Sequence, residues 1–355
     1  MRSIRRNRPG SSEEEIAAGL YVPAYVYPVF ESVLAHRAGR SPAEQRAFIG
    51  SLLAPFTAVA AKHRDAWFPL ERTATELATP SPDNRLVAEP YTKLMTAFLG
   101  GSQGAALVLM SLSVARSLDL DDGAMFVRSS ATADDVWAPA ARPDLGTSPA
   151  VSAAWRAALE GGGLGADELG HIDIYSCFPS AVQIGVAAAG LSLDDPRGLT
   201  VTGGLPYFGG PGSNYSTHAI ATMLGLLRES GGHGVVTSVG WYMTKHAVGC
   251  YSATPPPRGF VACDMGDDQE RIDGSALPVV PRGESLDPQV AEVVGSTVIY
   301  GREGEVTAAP VVASLADGRR VAAACGEPDR EVLAGRNLAG DKVEVRGDPP
   351  RYRLV

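Results

Sequence analysis

The sequence predicts an α/β protein, in which a parallel-rich sheet between layers of helices is followed by a small β-barrel. Three observations support this. From residue 112 to 253, strand-like stretches ("AMFVRS", "HIDIYSCF", "GVVTSVG", "AVGCYSA") alternate with helix-like ones ("SAAWRAALEG", "PSAVQIGVAAAGL", "SNYSTHAIATMLGLLRES"). After "TPPPRG" (254–259) the texture changes to a polar stretch and then to short β-rich runs. With 355 residues, 45% of them apolar, the chain is long enough for two or three domains and a sizeable core.

Residues 11–65 read as helical. Ser12 with Glu15 fits a capping box, and Ser41, Pro42 and Glu44 open a second helix in the same way. Pro23, Pro28 and Pro55 must fall at boundaries or kinks. The turn-rich segment 78–91 reads as irregular. Ala105 to Met110 is a near-continuous apolar run, as expected of a strand buried on both faces. Ile220, Met223, Leu224 and Leu227 form the apolar stripe of a helix that ends at Gly231-Gly232. In the tail, Asp317-Gly318 marks a hairpin, "PDREVLAG" a short helix, and "KVEVR" and "RYRLV" the last strands. Residues 254–289 read as a linker and 290–355 as a barrel similar to an OB-fold.

Composition narrows the function. A net charge of −9 argues against a general affinity for nucleic acid or an anionic membrane. In the tail, acids outnumber bases and aromatics are few, so a nucleic-acid groove lacks support there. The four cysteines (Cys177, Cys250, Cys263, Cys325) are scattered without a C-x-x-C pair, which removes support for zinc or a disulfide framework and fits a reducing cytoplasm. No apolar run is long enough to span a bilayer, and the basic start "MRSIRRNRPG" lacks the apolar stretch of a secretory signal. There is no G-x-S-x-G elbow and no G-x-x-x-x-G-K-[ST] loop.

Three longer motifs, "HIDIYSCFPSAVQ", "VTGGLPYFGGPGSNYSTHAIATM" and "VVTSVGWYMTKHAVGCYS", occur in this order with helices between them. Together they resemble the C-terminal half of the thiolase superfamily, most closely the acetyl-CoA acetyltransferase-like branch that carries an additional C-terminal β-domain. "TPSPDNRLVAEPYTKLM" and "GSQGAALVLMS" resemble that branch's loop domain and the last strand of its first half. The resemblance implies that residues 1–111 are the remainder of the N-terminal half with its helical loop domain, and that 112–253 are the C-terminal thiolase-like domain. It also implies a layered αβα fold with an incomplete first half, lacking the loop that bears the family's nucleophilic cysteine.

Thiolysis needs a cysteine thiolate, a histidine that activates it, a second cysteine that moves the α-carbon proton, and an oxyanion hole. On the resemblance, Tyr175 stands where an Asn or His would hold a water, and Gly210 replaces the catalytic histidine of the Gly-His-Pro loop. Ser238 replaces the second cysteine in a motif that usually reads Cys-x-Gly-Gly and here reads Ser238-Val239-Gly240-Trp241. The residual candidates are Cys177, His218 on the following helix, and His246, each with a structural reading beside the functional one. Phe178, Gly209, Pro211, Asn214 and Lys245 are the candidate substrate contacts. Asn214 and Ser216 look like helix caps beside an anion-compatible glycine loop, and Lys245 could attract a CoA phosphate or a carboxylate. No metal or resident cofactor is implied, and a coenzyme A thioester is the implied ligand. Two functions stay open: an acyltransferase-fold protein in lipid metabolism that acts on or binds acyl-CoA, and a non-catalytic subunit or remnant. The second would associate with itself or with a partner chain that completes the fold.

Overall fold

The computed structural model describes residues 8–326 and 329–355. Helices come first. Helix α1 (Glu13–Ala18) opens on the Ser12/Glu15 box: Ser12 N donates to Glu15 Oε2 at 2.8 Å, and Glu15 N donates back to Ser12 Oγ at 3.3 Å. Helix α2 (Pro23–Arg37) starts on Pro23 and runs through Pro28. Helix α3 (Pro42–Lys62) starts on the Ser41/Glu44 box and runs through Pro55. Helix α4 (Ala74–Ala78) follows. The segment read as irregular contributes a short strand, β1 (Leu86–Ala88), which pairs with β2 (Tyr91–Thr92).

The expected strand over Ala105–Met110 does not form. Residues 102–111 carry no regular structure and lead into α5 (Leu112–Ser117). An apolar run becomes a strand only where a neighbour can take its backbone hydrogen bonds, and no described strand lies beside this one.

The main sheet has five strands: β3 (Phe126–Asp134), β4 (Leu169–Asp173), β5 (His233–Gly240), β6 (Lys245–Ser252) and β7 (Val261–Ala262), in the order β4-β5-β6-β3-β7. It is mixed rather than parallel-rich. The β4/β5 and β3/β7 pairs are parallel, whereas β5/β6 and β6/β3 are antiparallel. Only residues 241–244 join β5 to β6, too few for the crossover that a parallel pair requires. Helices α6 (Pro149–Gly162) and α7 (Pro179–Ala188) cover one face, and α8 (Tyr215–Ser230) covers the other. The short helix α9 (Gly266–Asp273) is pinned to the end of β3 by Gln269, whose side chain accepts from Asp134 N and donates to Asp134 O, both at 2.8 Å.

Five tail strands close a barrel: β8 (Leu286–Ser296), β11 (Val311–Leu315), β12 (Arg320–Cys325), β13 (Lys342–Gly347) and β14 (Arg351–Leu354). The β11/β12 hairpin turns at Asp317-Gly318 as expected, with Gly318 at φ 86°. The expected short helix "PDREVLAG" begins among residues outside the described set, and its remainder shows one 3₁₀ turn, Glu331–Leu333. The barrel has its own core around Val293, Val311, Val321, Val343 and Tyr352. Two further strands leave it, β9 (Ile299–Tyr300) and β10 (Val306–Ala308). They extend the β1/β2 pair into a four-stranded sheet through Ala88 opposite Ile299. Glu89 ties this seam together, accepting from Arg46 Nη1 at 2.6 Å and from Tyr300 OH at 2.9 Å.

The helical segment is joined to the layered domain by a fully buried polar cluster. Glu31 on α2 accepts from Gln45 Nε2 on α3 (2.5 Å), Gln183 Nε2 on α7 (2.7 Å) and Tyr91 OH (2.6 Å). Each donor left unpaired in a dry interior costs about 1–3 kcal/mol. Tyr91 OH and Gln183 Nε2 keep second acceptors in Ser180 Oγ (3.0 Å) and Pro179 O (3.2 Å), so Glu31→Ala should cost about 1–3 kcal/mol in urea unfolding.

Candidate functional site

The glycine loop between α7 and α8 keeps a tight shape and has no room for a catalytic side chain. Gly209 sits at φ 116°, left-handed, with the Gln103 carboxamide packed where its Cβ would project. Gly210 N donates to Phe98 O at 2.7 Å, and a Cβ on Gly210 would lie 2.9 Å from the same carbonyl. The position expected to carry the base is therefore filled by a neighbouring main chain. Two more segments seal the loop from outside. Gln103 Nε2 donates to Phe208 O and Asp65 O, both at 2.9 Å, and Trp67 N donates to Phe208 O at 2.8 Å. Pro211 follows, half-buried.

The expected cap at Asn214 is not made. A 3₁₀ turn over Gly212–Asn214 runs straight into α8, which leaves Asn214 at φ −101°, ψ −2°, outside the extended geometry of an N-cap, with no side-chain bond to the helix. Ser216 does not cap either. Its hydroxyl accepts from Ser238 Oγ at 2.6 Å.

Strand register separates the remaining candidates. Ser238 lies opposite Ala247, Val239 opposite His246, and Gly240 opposite Lys245. Residues directly opposite share a face, and successive residues alternate. Ser238 and Lys245 therefore face α8, and His246 faces α6 and α7, where it borders a void of about 10 Å³ with Val151 and Gly185. His246 stands on the other side of the sheet from Ser238 and cannot serve as its base. Its Nε2 instead lies 3.1 Å from Asp135 Oδ2 and 3.0 Å from Met243 O; both are acceptors, so Nε2 carries the proton. Asp135 also accepts from Ser148 Oγ and, at 3.1 Å, from Ala150 N at the start of α6. Burial pushes the Asp135 carboxyl up, but the His246 bond and the Arg142 charge outweigh it and hold the group below its ordinary value.

The strand-end residues pack among aromatics, Tyr175 half-buried and Phe178 buried. Tyr175 packs edge-on against Tyr215 at 5.4 Å, and burial raises its phenol. Phe178 stacks on Tyr27 at 4.4 Å inside the core. Cys177 is 8% exposed, and burial pushes its thiol up to about 12, so it is protonated at neutral pH. His218 packs against Phe208 at 5.2 Å, and burial lowers its pKa. Lys245 is half-buried with Nζ 6.0 Å from the Trp241 ring centre. Among the described residues, no group of three or more His, Cys, Asp or Glu side chains could hold a metal ion. No described helix is long and apolar enough to cross a membrane.

Several residues that shape this region were not singled out from the sequence. Trp241, which takes the second glycine position of the Cys-x-Gly-Gly pattern, has φ 56°, and Met243 has φ 52°. Tyr27 holds this turn, its hydroxyl donating to Trp241 O at 2.8 Å and accepting from Met243 N at 3.2 Å. Asp173, at the end of β4, is fully buried. Its Oδ2 accepts from Val201 N at 2.9 Å and Thr200 Oγ1 at 3.1 Å, and burial pushes its carboxyl up to about 7. The tryptophan at a glycine position was the one signal available in the sequence.

Two outcomes follow from this geometry. Tyr27→Phe removes the donor to Trp241 O and orphans the buried Met243 N–H, so denaturant unfolding should show a loss of about 1–3 kcal/mol. Asp173 binds its proton more tightly folded than unfolded, where its pKa is near 4. The stability it contributes is thus complete below about pH 4 and is lost as pH rises through about 7. Asp173→Asn should therefore gain stability relative to the unmodified protein between pH 4 and 8, measured by urea melts at both ends. A constant difference across that range would contradict the assignment.

No family model matches the sequence, and no curated protein does so either. Solved structures do. A monomeric SCP2-thiolase-like protein type 1 from Mycobacterium smegmatis matches with a TM-score of 0.88 and 33% identity, over 98% of this chain and 76% of that one. An assembly described as the Ltp2-ChsH2(DUF35) aldolase matches with a TM-score of 0.54 and 16% identity, over 67% of this chain and 65% of that one, a likeness of fold alone. With a third of its residues shared along nearly its whole length, and with the mixed sheet, glycine loop and closed tail barrel described above, the chain belongs to the SCP2-thiolase-like proteins of the thiolase superfamily.

Proposed function

We propose that the protein binds acyl-CoA or CoA in lipid metabolism and does not carry out thiolase turnover by the usual cysteine and histidine chemistry. Membership of the SCP2-thiolase-like proteins supports the ligand class. The observation that carries the second half is the occupied space at Gly210. The base is absent, and Phe98 O stands 2.9 Å from where its Cβ would be. The other groups agree with this. The Cys177 thiol is buried and protonated, and Ser238 is engaged with Ser216. A hydroxyl without a strong base is too weak an acid for the α-carbon proton. Lys245, with Ser238 on the α8 face, is the candidate contact for a CoA phosphate or an acyl carboxylate.

A second reading is a non-catalytic subunit completed by a partner. It is favoured by the exposed apolar run at 108–110, where Val108 is 84% and Leu109 75% exposed.

Purified protein with acetoacetyl-CoA and CoA should give a flat trace at the enolate absorbance. General acid–base groups contribute roughly 10²–10⁴-fold each. A steady decay abolished by Cys177→Ala would make Cys177 the nucleophile and overturn the proposal. Gly210→His combined with Ser238→Cys should not restore turnover and should lower the melting temperature, because the imidazole stem collides with Phe98 O. Calorimetric titration with CoA should give saturable heat that weakens several-fold in Lys245→Ala. Absence of heat with both CoA and acetyl-CoA would remove the ligand assignment.

A further inference from the structure

One face of the main sheet is only partly covered. Along β6, Lys245, Ala247 and Gly249 are half-buried, whereas His246, Val248 and Cys250 on the opposite face are buried. Helix α8 flanks the open side. Its residues Ser216, Ile220 and Leu224 fall in one row four positions apart, and each is half-buried. The row runs the same way as β6. Its first member meets Ser238, which lies opposite Ala247, and its last lies with Tyr251 in the wall of an apolar hollow of about 930 Å³. Leu107, Met110 and Phe260 form other walls of this hollow. The floor between the two ends is low. Ala247 carries only a methyl group, and Gly249 leaves room for the Tyr251 phenol, whose oxygen lies 2.7 Å from where a Cβ on Gly249 would be. From Lys245 to Tyr251 the strand climbs roughly 20 Å.

The chemistry changes in order along this channel. At one end stands the Lys245 cation. In the middle are two hydroxyls, Tyr251 OH and Ser130 Oγ, and neither is hydrogen-bonded to a described residue. Ser130 lies opposite Gly249 on β3, and it faces the channel because its neighbour Ser129 points the other way, to Ala158 O on α6. At the far end is the hollow, of the size and apolar character that enclose small-molecule ligands. Charge, hydrogen-bonding groups and apolar space follow one another as do the phosphates, the amide-bearing arm and the hydrocarbon tail of an acyl-CoA. We propose that this face is an acyl-chain channel. The phosphate end lies at Lys245, the arm crosses Ala247 and Gly249 within reach of Ser130 and Tyr251, and a medium- or long-chain acyl tail fills the hollow. An acetyl group would leave most of the hollow empty. The tail also covers Phe260 and Met110, 56% and 41% exposed, which belong to the kind of apolar surface that single chains in water keep small. This rests on the reading of the protein as a binder of CoA ligands, and it adds the substrate class.

The test is a calorimetric titration with CoA, acetyl-CoA and octanoyl-CoA. Burying one methylene strengthens binding about threefold to fourfold, so octanoyl-CoA should bind about tenfold or more tightly than acetyl-CoA. Leu224→Asp puts a carboxylate in the wall of the hollow. It should bring octanoyl-CoA down to the affinity of acetyl-CoA and leave CoA binding unchanged. Phe260→Asp, at an exposed position, should lower the same chain-length gain several-fold, and it covers the case in which Leu224→Asp fails to fold. Ala247→Trp obstructs the floor under the arm and should weaken all three ligands. Equal affinities for the three ligands would overturn the channel and leave the CoA reading standing. Absence of heat with all three would remove the CoA reading itself. A chain-length gain that survives both Leu224→Asp and Phe260→Asp would place the tail elsewhere and overturn the proposal. So would a dimer, seen by sedimentation, that octanoyl-CoA does not dissociate, because the hollow would then belong to a second copy.

Discussion

The hydroxyl of Tyr27 grips the turn between β5 and β6 from both sides, and much of the layered domain depends on that grip. The turn places two non-glycine residues, Trp241 and Met243, in left-handed backbone, at a cost of about 1–2 kcal/mol each. Tyr27 fixes the carbonyl of one and the amide of the other. The same residue stacks on Phe178 and takes Ser180 Oγ on its main-chain carbonyl at 3.1 Å, which anchors the start of α7. One side chain of the helical segment thereby sets the strand turn and the helix beneath it, and the register that follows places Ser238 and His246 on opposite faces.

The ionisable groups of this region serve architecture. His246, Asp135 and Arg142 form a buried chain: Arg142 caps the carbonyls of Val136 and Tyr242 at 2.9 Å, and Asp135 receives both the imidazole and the start of α6. Glu31 performs the same office between three helices and Tyr91. Catalytic groups need access to a reacting atom and a pKa near the working pH. Asp135, Arg142 and Glu31 are buried and their polar atoms are bonded to neighbouring side chains and main chain.

What could be read from the sequence was local. Both capping boxes, the Asp317-Gly318 hairpin and the apolar stripe of α8 are fixed by residues a few positions apart, and all appear. The substitutions at Gly210 and Ser238 were also visible, because a motif is a local object. What stayed hidden depends on distant chain. The antiparallel β5/β6 pair turns on a tryptophan with φ > 0 that no glycine announced. Phe98 O occupies the space at Gly210 from more than a hundred positions away in sequence. Ala105–Met110 reads as a strand buried on both faces, but it forms no strand and Val108 to Met110 are exposed, because no described neighbour covers them. Asn214 has the residue type of a cap, and the preceding 3₁₀ turn takes away the backbone geometry for it.

The seam between the β1/β2 pair and the tail sets the order in which the molecule can be finished. Ala88 finds its partner only when Ile299 exists, and Glu89 must wait for Tyr300. At a synthesis rate of ~5–20 residues per second, that interval is on the order of 10 s or more. During it the early helices stand on the ribosome beside an unclosed sheet edge and a buried carboxylate that lacks one of its donors. Pairings so far apart along the chain also slow folding once synthesis is complete. The period before Ile299 and Tyr300 emerge is therefore when this edge and the Glu89 carboxylate lack their partners.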